Sequence, residues 1–266
     1  MTYVAINDFK MNDLLDVRLN VDAPGLSSTR DRIVVIPGRH GAIDFGADLS
    51  EGYHPIPCDI RKRNMTEVQN VVRELNQLLL DPYGNPKTVK LRYGFEPDKF
   101  YFVRYSGELP ISRLAVKGSF TLPFVAYDPN AKFVVSTEEI TWDSDVPFMS
   151  DVTLGSDYEF DINSNQTIVI HNFGTMVVKP TVVIEGSATS LALSLNGESF
   201  SFGSFSNSTI EIVSEKFNVY KDGDYQFSLM EGNIDKLILM PGTNDVIVSG
   251  SNLNIKITFK FHAKYL

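Results

Sequence analysis

The chain holds one cysteine, four histidines and 33 carboxylates in 266 residues, so any chemistry must come from a few clusters of these types. His40, Asp44, Asp48 and His54 share one Gly-rich stretch. Imidazole with carboxylate is a donor set for a divalent transition metal, but this spacing matches no metal motif, and Asp in such stretches also serves as a turn residue. Cys58 is the single thiol. Its setting, Ile56-Pro-Cys-Asp-Ile60, reads as a strand, where a buried thiol is inert. One cysteine makes no intrachain disulfide and no multi-cysteine zinc site. Asp161-Ile-Asn163-Ser-Asn165 opens like a calcium loop, yet Gln166 stands where glycine is required and Asn172 where the bidentate Glu belongs. Glu138 with Glu139, and Asp143 with Asp145, supply paired carboxylates, but adjacency in sequence does not set the separation glycoside hydrolysis needs. Dinucleotide, P-loop, zincin and nucleophile-elbow motifs are absent. The expectation is a protein that is not an enzyme, with no catalytic residue, no cofactor and no metal.

The elements that would position a site fall into two halves. Residues 1–133 carry 17 Lys and Arg against 16 Asp and Glu, and residues 134–266 carry 7 against 17. All ten arginines precede Val134, and prolines divide 10 to 3 the same way. Composition therefore predicts two domains, 1–133 and 134–266. A net charge of −9 argues against groove-reading nucleic-acid binding. The first ten residues lack the basic start and apolar core of a secretory signal, and no stretch reaches the length of a membrane span, so synthesis in a cytoplasm and no membrane partner are expected.

In the first half, Val68, Val71, Val72, Leu75, Leu78 and Leu79 line one face of a helix over Met65–Leu80. Asn64 and Glu67 stand at capping-box spacing, and Asp81-Pro82-Tyr83-Gly84 ends the helix. Arg61-Lys62-Arg63 puts positive charge before the positive end of the helix dipole, either as a solvated turn or as an ion-pair site for a neighbouring subunit. Strands are predicted at Arg32–Ile36, Val89–Tyr93, Phe100–Tyr105 and Ser112–Phe120, giving an α+β domain with one helix against a sheet. Between Ile36 and Pro57 lies a Gly- and Asp-rich connection, long for a compact domain. The second half reads as short strands throughout. Asn196-Gly197 and Asp222-Gly223 are hairpin signals, and strands are expected at Thr167–Ile170, Val177–Ile184, Leu191–Leu195, Ser199–Phe202, Thr209–Val213, Lys216–Tyr220, Tyr225–Leu229, Lys236–Met240, Val246–Val248 and Asn254–Phe259, an antiparallel β-sandwich.

Four features in order carry a resemblance: Pro37-Gly-Arg-His-Gly-Ala-Ile-Asp-Phe-Gly46, the helix after it, Phe124-Val-Ala-Tyr-Asp-Pro129 closing the first half, and Leu239-Met-Pro-Gly-Thr-Asn-Asp-Val-Ile247 near the end. Together they resemble the distal tail protein family of long-tailed siphophages. The resemblance implies a mainly β protein: an N-terminal ring domain with one flanking helix, related to tail-tube folds, and a C-terminal galectin-like sandwich. It implies a homo-hexamer in the virion tail tip, with the tail-tube protein above, a tail-associated fibre protein below, DNA passing through the lumen without specific binding, and receptor-binding proteins as partners of the outer domain. An arm at Gly38–Tyr53 would embrace the next subunit, with Arg39, Ile43, Asp44 and Phe45 in contact, the apolar pair as anchors, and Arg61 and Arg63 adding charge. The galectin-like fold also raises a carbohydrate-binding adhesin as the alternative, with a hydrolase behind it. Against sugar binding, residues 134–266 hold no arginine and only Trp142 as a stacking tryptophan.

Overall fold

The structure is a computed structural model that describes residues 3–7, 9–12, 17–19, 25–62, 64–108, 112–114, 117–134, 136–137 and 158–266. It is mainly β, built of antiparallel sheets, and divides into two compact units, Met1–Ala131 and Lys132–Leu266.

The N-terminal unit is organised by one long pair of strands. Gly52–Arg61 runs antiparallel to Lys117–Ala126 over all ten residues. Along the first of these, His54, Ile56, Cys58 and Ile60 are buried while Tyr53, Pro55 and Pro57 face out, the period-2 alternation of a half-buried strand. Pro55 lies directly opposite Pro123. Neither has an N–H, so that pair must be a non-hydrogen-bonded one. Pro57, two residues on, also turns its donorless nitrogen away from the partner, toward the edge on which, among the described residues, Val17–Leu19 pairs only with Cys58–Ile60. The strands of this unit follow the order Phe9–Lys10, Val4–Ile6, Thr88–Tyr93, Glu96–Tyr105, Lys117–Ala126, Gly52–Arg61, Val17–Leu19, with Ser112–Leu114 also on Lys117–Ala126.

The helix spans Met65–Leu79, one residue short of the sequence expectation. Asn64 Oδ1 accepts from the Glu67 N–H at 2.9 Å, and Asn64 Nδ2 donates to Glu67 Oε1 at 3.0 Å, so the box closes through side chains. Val68, Val71, Leu75 and Leu79 pack with Ile56, Ile60, Leu91 and Leu122 of the sheet, and Leu78 joins at the margin. After the helix, Asp81 Oδ1 accepts from the N–H groups of Tyr83 and Asn85 at 2.9 and 2.8 Å. Gly84 takes φ of +85° there, a value that disfavours any side chain. Those backbone bonds, that of Asn85 foremost, hold the Asp81 carboxyl below its usual range.

Two expectations need correction. Arg32–Ile36 is not a strand of this sheet, and much of the supposed connection from Ile36 to Pro57 is strand: Ile43–Leu49 and the first half of Gly52–Arg61. Prolines 55 and 57 and four glycines masked the alternation.

The C-terminal unit is an antiparallel sandwich. One sheet orders Glu159–Ile162, Asn254–Lys260, Thr181–Ala188, Phe205–Val213, Asn218–Lys221 and Asp224–Tyr225; the other orders Gln166–Asn172, Gly242–Ser251, Ser190–Leu195, Glu198–Phe202 and Met230–Glu231. Their inward residues, among them Ile170, Val182, Ile184, Leu193, Phe200, Ile212, Val248 and Phe259, form one core. At Asn196-Gly197 both residues have positive φ, 54° and 81°, joining Leu195 to Glu198 as the turn chemistry requires. Asp222-Gly223 does the same between Lys221 and Asp224. Two expected strands are not found as drawn: of Tyr225–Leu229 only Tyr225 is strand and Phe227–Leu229 is a single 3₁₀ turn, while of Lys236–Met240 the first residue ends the 3₁₀ turn Ile234–Lys236 and Leu239 keeps only a bridge to Val178.

His54 is a buried titratable group of the N-terminal unit. Its Nδ1 lies 2.9 Å from the Tyr93 hydroxyl and its ring 4.6 Å from that of Tyr101. Burial lowers its pKa from 6.5 to about 4. The unfolded chain therefore binds the proton first, and the stability this neutral ring contributes is full above pH 6.5 and is lost as pH falls toward 4, by about 3 kcal/mol at most. Urea unfolding should show that loss between pH 7 and 4.5, and His54→Gln should remove most of it; an unchanged pH dependence in the variant would contradict the assignment. Asn64→Ala should lower the stability of the N-terminal unit by about 1 kcal/mol, read as a lower urea midpoint.

Candidate subunit interface

Between Gly25 and Gly52 the chain leaves the N-terminal sheet and forms its own two-stranded ribbon, Thr29–Val34 with Ile43–Leu49. Ser50 N–H donates to the Ser28 carbonyl at 2.8 Å and closes its base. The register pairs Arg30 with Asp48, Asp31 with Ala47, Ile33 with Asp44 and Val34 with Ile43. Phe45 and Gly46 therefore both oppose Arg32, a β-bulge. Gly46 supplies the positive φ the bulge needs, +91°, and its N–H donates to Asp44 Oδ1 at 2.8 Å. Arg32 Nε reaches Asp48 Oδ2 at 3.4 Å, an exposed pair of little energetic weight. At the tip, the Arg39 N–H donates to the Ile36 carbonyl at 3.1 Å.

The ribbon's surface is unusual for an isolated element. Every residue of Thr29–Val34 is exposed, and so is every residue of Ile43–Leu49 except the half-buried Ile43. The exposed set includes large apolar side chains: Ile33, Val34, Val35 at 66%, Ile36, Phe45 at 60%, and Leu49. Strand alternation puts Val34, Ile43 and Phe45 on one face, with Ile33 on the other. A lone two-stranded hairpin is marginal in water, neither of its outer edges is paired among the described residues, and apolar residues on it need a cover.

Of the six residues singled out in the sequence, four come together. Arg39 is at the tip, and Ile43, Asp44 and Phe45 are consecutive on the second strand. Arg61 ends the strand that begins at Gly52, so at 3.3 Å per residue it lies about 30 Å from the ribbon's base. Arg63 is outside the described residues. Ile33, Val34, Val35, Ile36 and Leu49 are not among the residues singled out from the sequence, where the run at 32–36 is expected as a strand of the sheet that carries the helix. The signal available was the consecutive charged triplet Arg30-Asp31-Arg32, which leaves no face to bury.

The groups weighed for chemistry are separated. His40 is exposed at the ribbon's tip while His54 is inside the sheet core, and no cluster of three metal-ligating side chains occurs among the described residues. The Cys58 Sγ–H donates to the Ile56 carbonyl at 3.4 Å, and burial together with the neighbouring Asp59 charge pushes its pKa up to about 12. Asp161 is on a strand, and Asn165 Oδ1 accepts from the Gly250 N–H at 2.9 Å, so that stretch is a strand turn. Glu138, Glu139, Asp143 and Asp145 lie outside the described residues.

The family model for the phage tail protein RIFT-related domain matches residues 10–126. No curated protein sequence matches the chain. Among solved structures, the chain is similar to the Dit protein of phage SPP1, described as a paradigm of the hub adsorption apparatus in phages infecting Gram-positive bacteria, at a TM-score of 0.68 and 16% identity over 100% of both chains. It is also similar to a chain of the phage p2 baseplate in its activated conformation with Sr, at a TM-score of 0.46 and 10% identity over 100% of both chains. Residues 10–126 thus match the phage tail protein RIFT-related domain, and over its full length the chain has the fold of the phage SPP1 Dit protein.

Proposed function

We propose that this chain is the hub of a long non-contractile tail tip, six copies closing into a ring that continues the tail tube. Residues 1–133 form the ring in this reading and residues 134–266 stand as an outer galectin-like domain. The exposed apolar ribbon Thr29–Leu49 carries the proposal. A ring needs a heterologous interface, in which one surface of each subunit meets a different surface of the next. The ribbon meets that need twice over: its free edge can add to a neighbour's sheet, and Val34, Ile43 and Phe45 can anchor in a neighbour's apolar surface. Arg39 and Asp44 are then contact residues at its tip and bulge, and Arg61 and Arg63 supply ion pairs from a second surface. The tail-tube protein would dock on one face of the ring and the tail-associated fibre protein on the other, with DNA crossing the lumen and receptor-binding proteins on the outer domain.

Replacing residues 29–49 by a short Gly-Ser linker should leave both units folded, with an unchanged far-ultraviolet dichroism of the sheets and sandwich, and should yield a monomer in light scattering. A ring that still assembles without the ribbon would contradict the proposed interface.

A further inference from the structure

The C-terminal unit is acidic, with eight lysines and no arginine against 17 carboxylates over residues 132–266, yet four of those lysines converge on one cleft. The cleft has a volume of about 380 Å³, and Lys132, Lys179, Lys260 and Lys264 line it together with His262. Its construction follows from strand alternation. In Lys260-Phe-His-Ala-Lys-Tyr265, Phe261, Ala263 and Tyr265 are buried, so Lys260, His262 and Lys264 must share the opposite side. The second wall is fastened onto the first: the Phe133 N–H donates to the Ala263 carbonyl at 2.9 Å, the Thr137 N–H to the Phe261 carbonyl at 3.1 Å, and Thr137 Oγ1 both donates to the Phe259 carbonyl at 2.9 Å and accepts from the Phe261 N–H at 3.1 Å. That clamp brings Lys132 and Ser136 over the row. His262 is oriented by its Nδ1–H, which donates to the Phe133 carbonyl at 2.9 Å.

Charges inside and at the rim differ. All four lysines are half-buried, whereas the two lining carboxylates, Glu211 and Glu215, are exposed. Glu215 holds Lys264 at 3.4 Å, and Asp235 holds Lys179 at 2.6 Å, so both ammonium groups are pre-positioned. Among the described residues the lining holds four lysines against two glutamates, and these cations are ammonium point charges rather than guanidinium forks. Ammonium groups suit a phosphate, while the Glu211 and Glu215 carboxylates with the Ser136 and Thr181 hydroxyls can accept from or donate to ligand hydroxyl groups.

We propose that this cleft binds the phosphate group of a hydroxylated phosphate ester, a polyol or sugar phosphate. The site is confined to the C-terminal unit, and its test does not depend on whether the chain forms a ring.

Calorimetric titration of the full chain at low ionic strength with glycerol 3-phosphate should show saturable binding in the millimolar range or tighter, weakened by added sodium chloride. Inorganic phosphate should bind several-fold more weakly, and glycerol not at all. Lys132→Gln and Lys260→Gln, on opposite walls, should each weaken glycerol 3-phosphate binding about tenfold, the loss expected for one charge-assisted hydrogen bond, with an unchanged melting temperature confirming the fold. Absence of saturable binding, or binding that neither variant alters, would overturn the site. Equal affinity for inorganic phosphate would overturn the ester assignment, and preference for an oligoglutamate peptide would overturn the phosphate assignment in favour of an acidic protein segment.

Discussion

The ten-residue register between Gly52–Arg61 and Lys117–Ala126 is the constraint on which the N-terminal unit depends. It sends His54, Ile56, Cys58 and Ile60 to one face, and only that face can receive the helix Met65–Leu79. A slip of one residue would put Tyr53, Pro55 and Pro57 inward and turn every apolar anchor to water. The prolines help forbid such a slip, because Pro55 opposite Pro123 is tolerable only where neither position is asked for a hydrogen bond. The same strand has the ribbon at its beginning and the helix just past its end, so one register places the element proposed for assembly and the element that locks the core.

Burial divides labour along this chain. Inside the sheet, His54 and Cys58 have the residue types of reactive groups but the environment of packing groups: a neutral ring against tyrosines and a thiol pushed toward permanent protonation. On the ribbon the relation reverses, and Val35, Ile33 and Phe45 have the types of core residues in an environment of water. Apolar surface displayed on an element that can scarcely hold itself together is the mark of a contact completed by another chain.

Much of this was legible in the sequence where local rules act alone. The helix announced itself through its apolar spacing and the Asn64 cap, and the hairpins at Asn196-Gly197 and Asp222-Gly223 through residues that accept positive φ. The ribbon was illegible as structure: Ile33–Ile36 looks like a strand of the main sheet, since a continuous apolar run carries no mark of what will cover it. Ile56–Ile60 read as strand, but the first half of Gly52–Arg61 was hidden by prolines whose permitted positions depend on an edge that only the tertiary fold defines. The cleft along Lys260–Lys264 shows in the alternation of that short segment, but the wall bearing Lys132 comes from more than 120 residues away in the chain, a distance local pattern cannot bridge. The segment Phe227–Lys236 turns in 3₁₀ pieces at Phe227–Leu229 and Ile234–Lys236, with only the two-residue strand Met230–Glu231 between them.

The central claim is that the ribbon Thr29–Leu49 is one side of a closed, repeated interface. Light scattering coupled to size exclusion on the purified full chain across a concentration series, with negative-stain imaging of the largest peak, tests it most directly. The account predicts particles of six 29.8 kDa chains, about 179 kDa, with six-fold symmetry and a central opening. A monomer of 29.8 kDa that persists to the highest concentration, with no ring in the images, would contradict it.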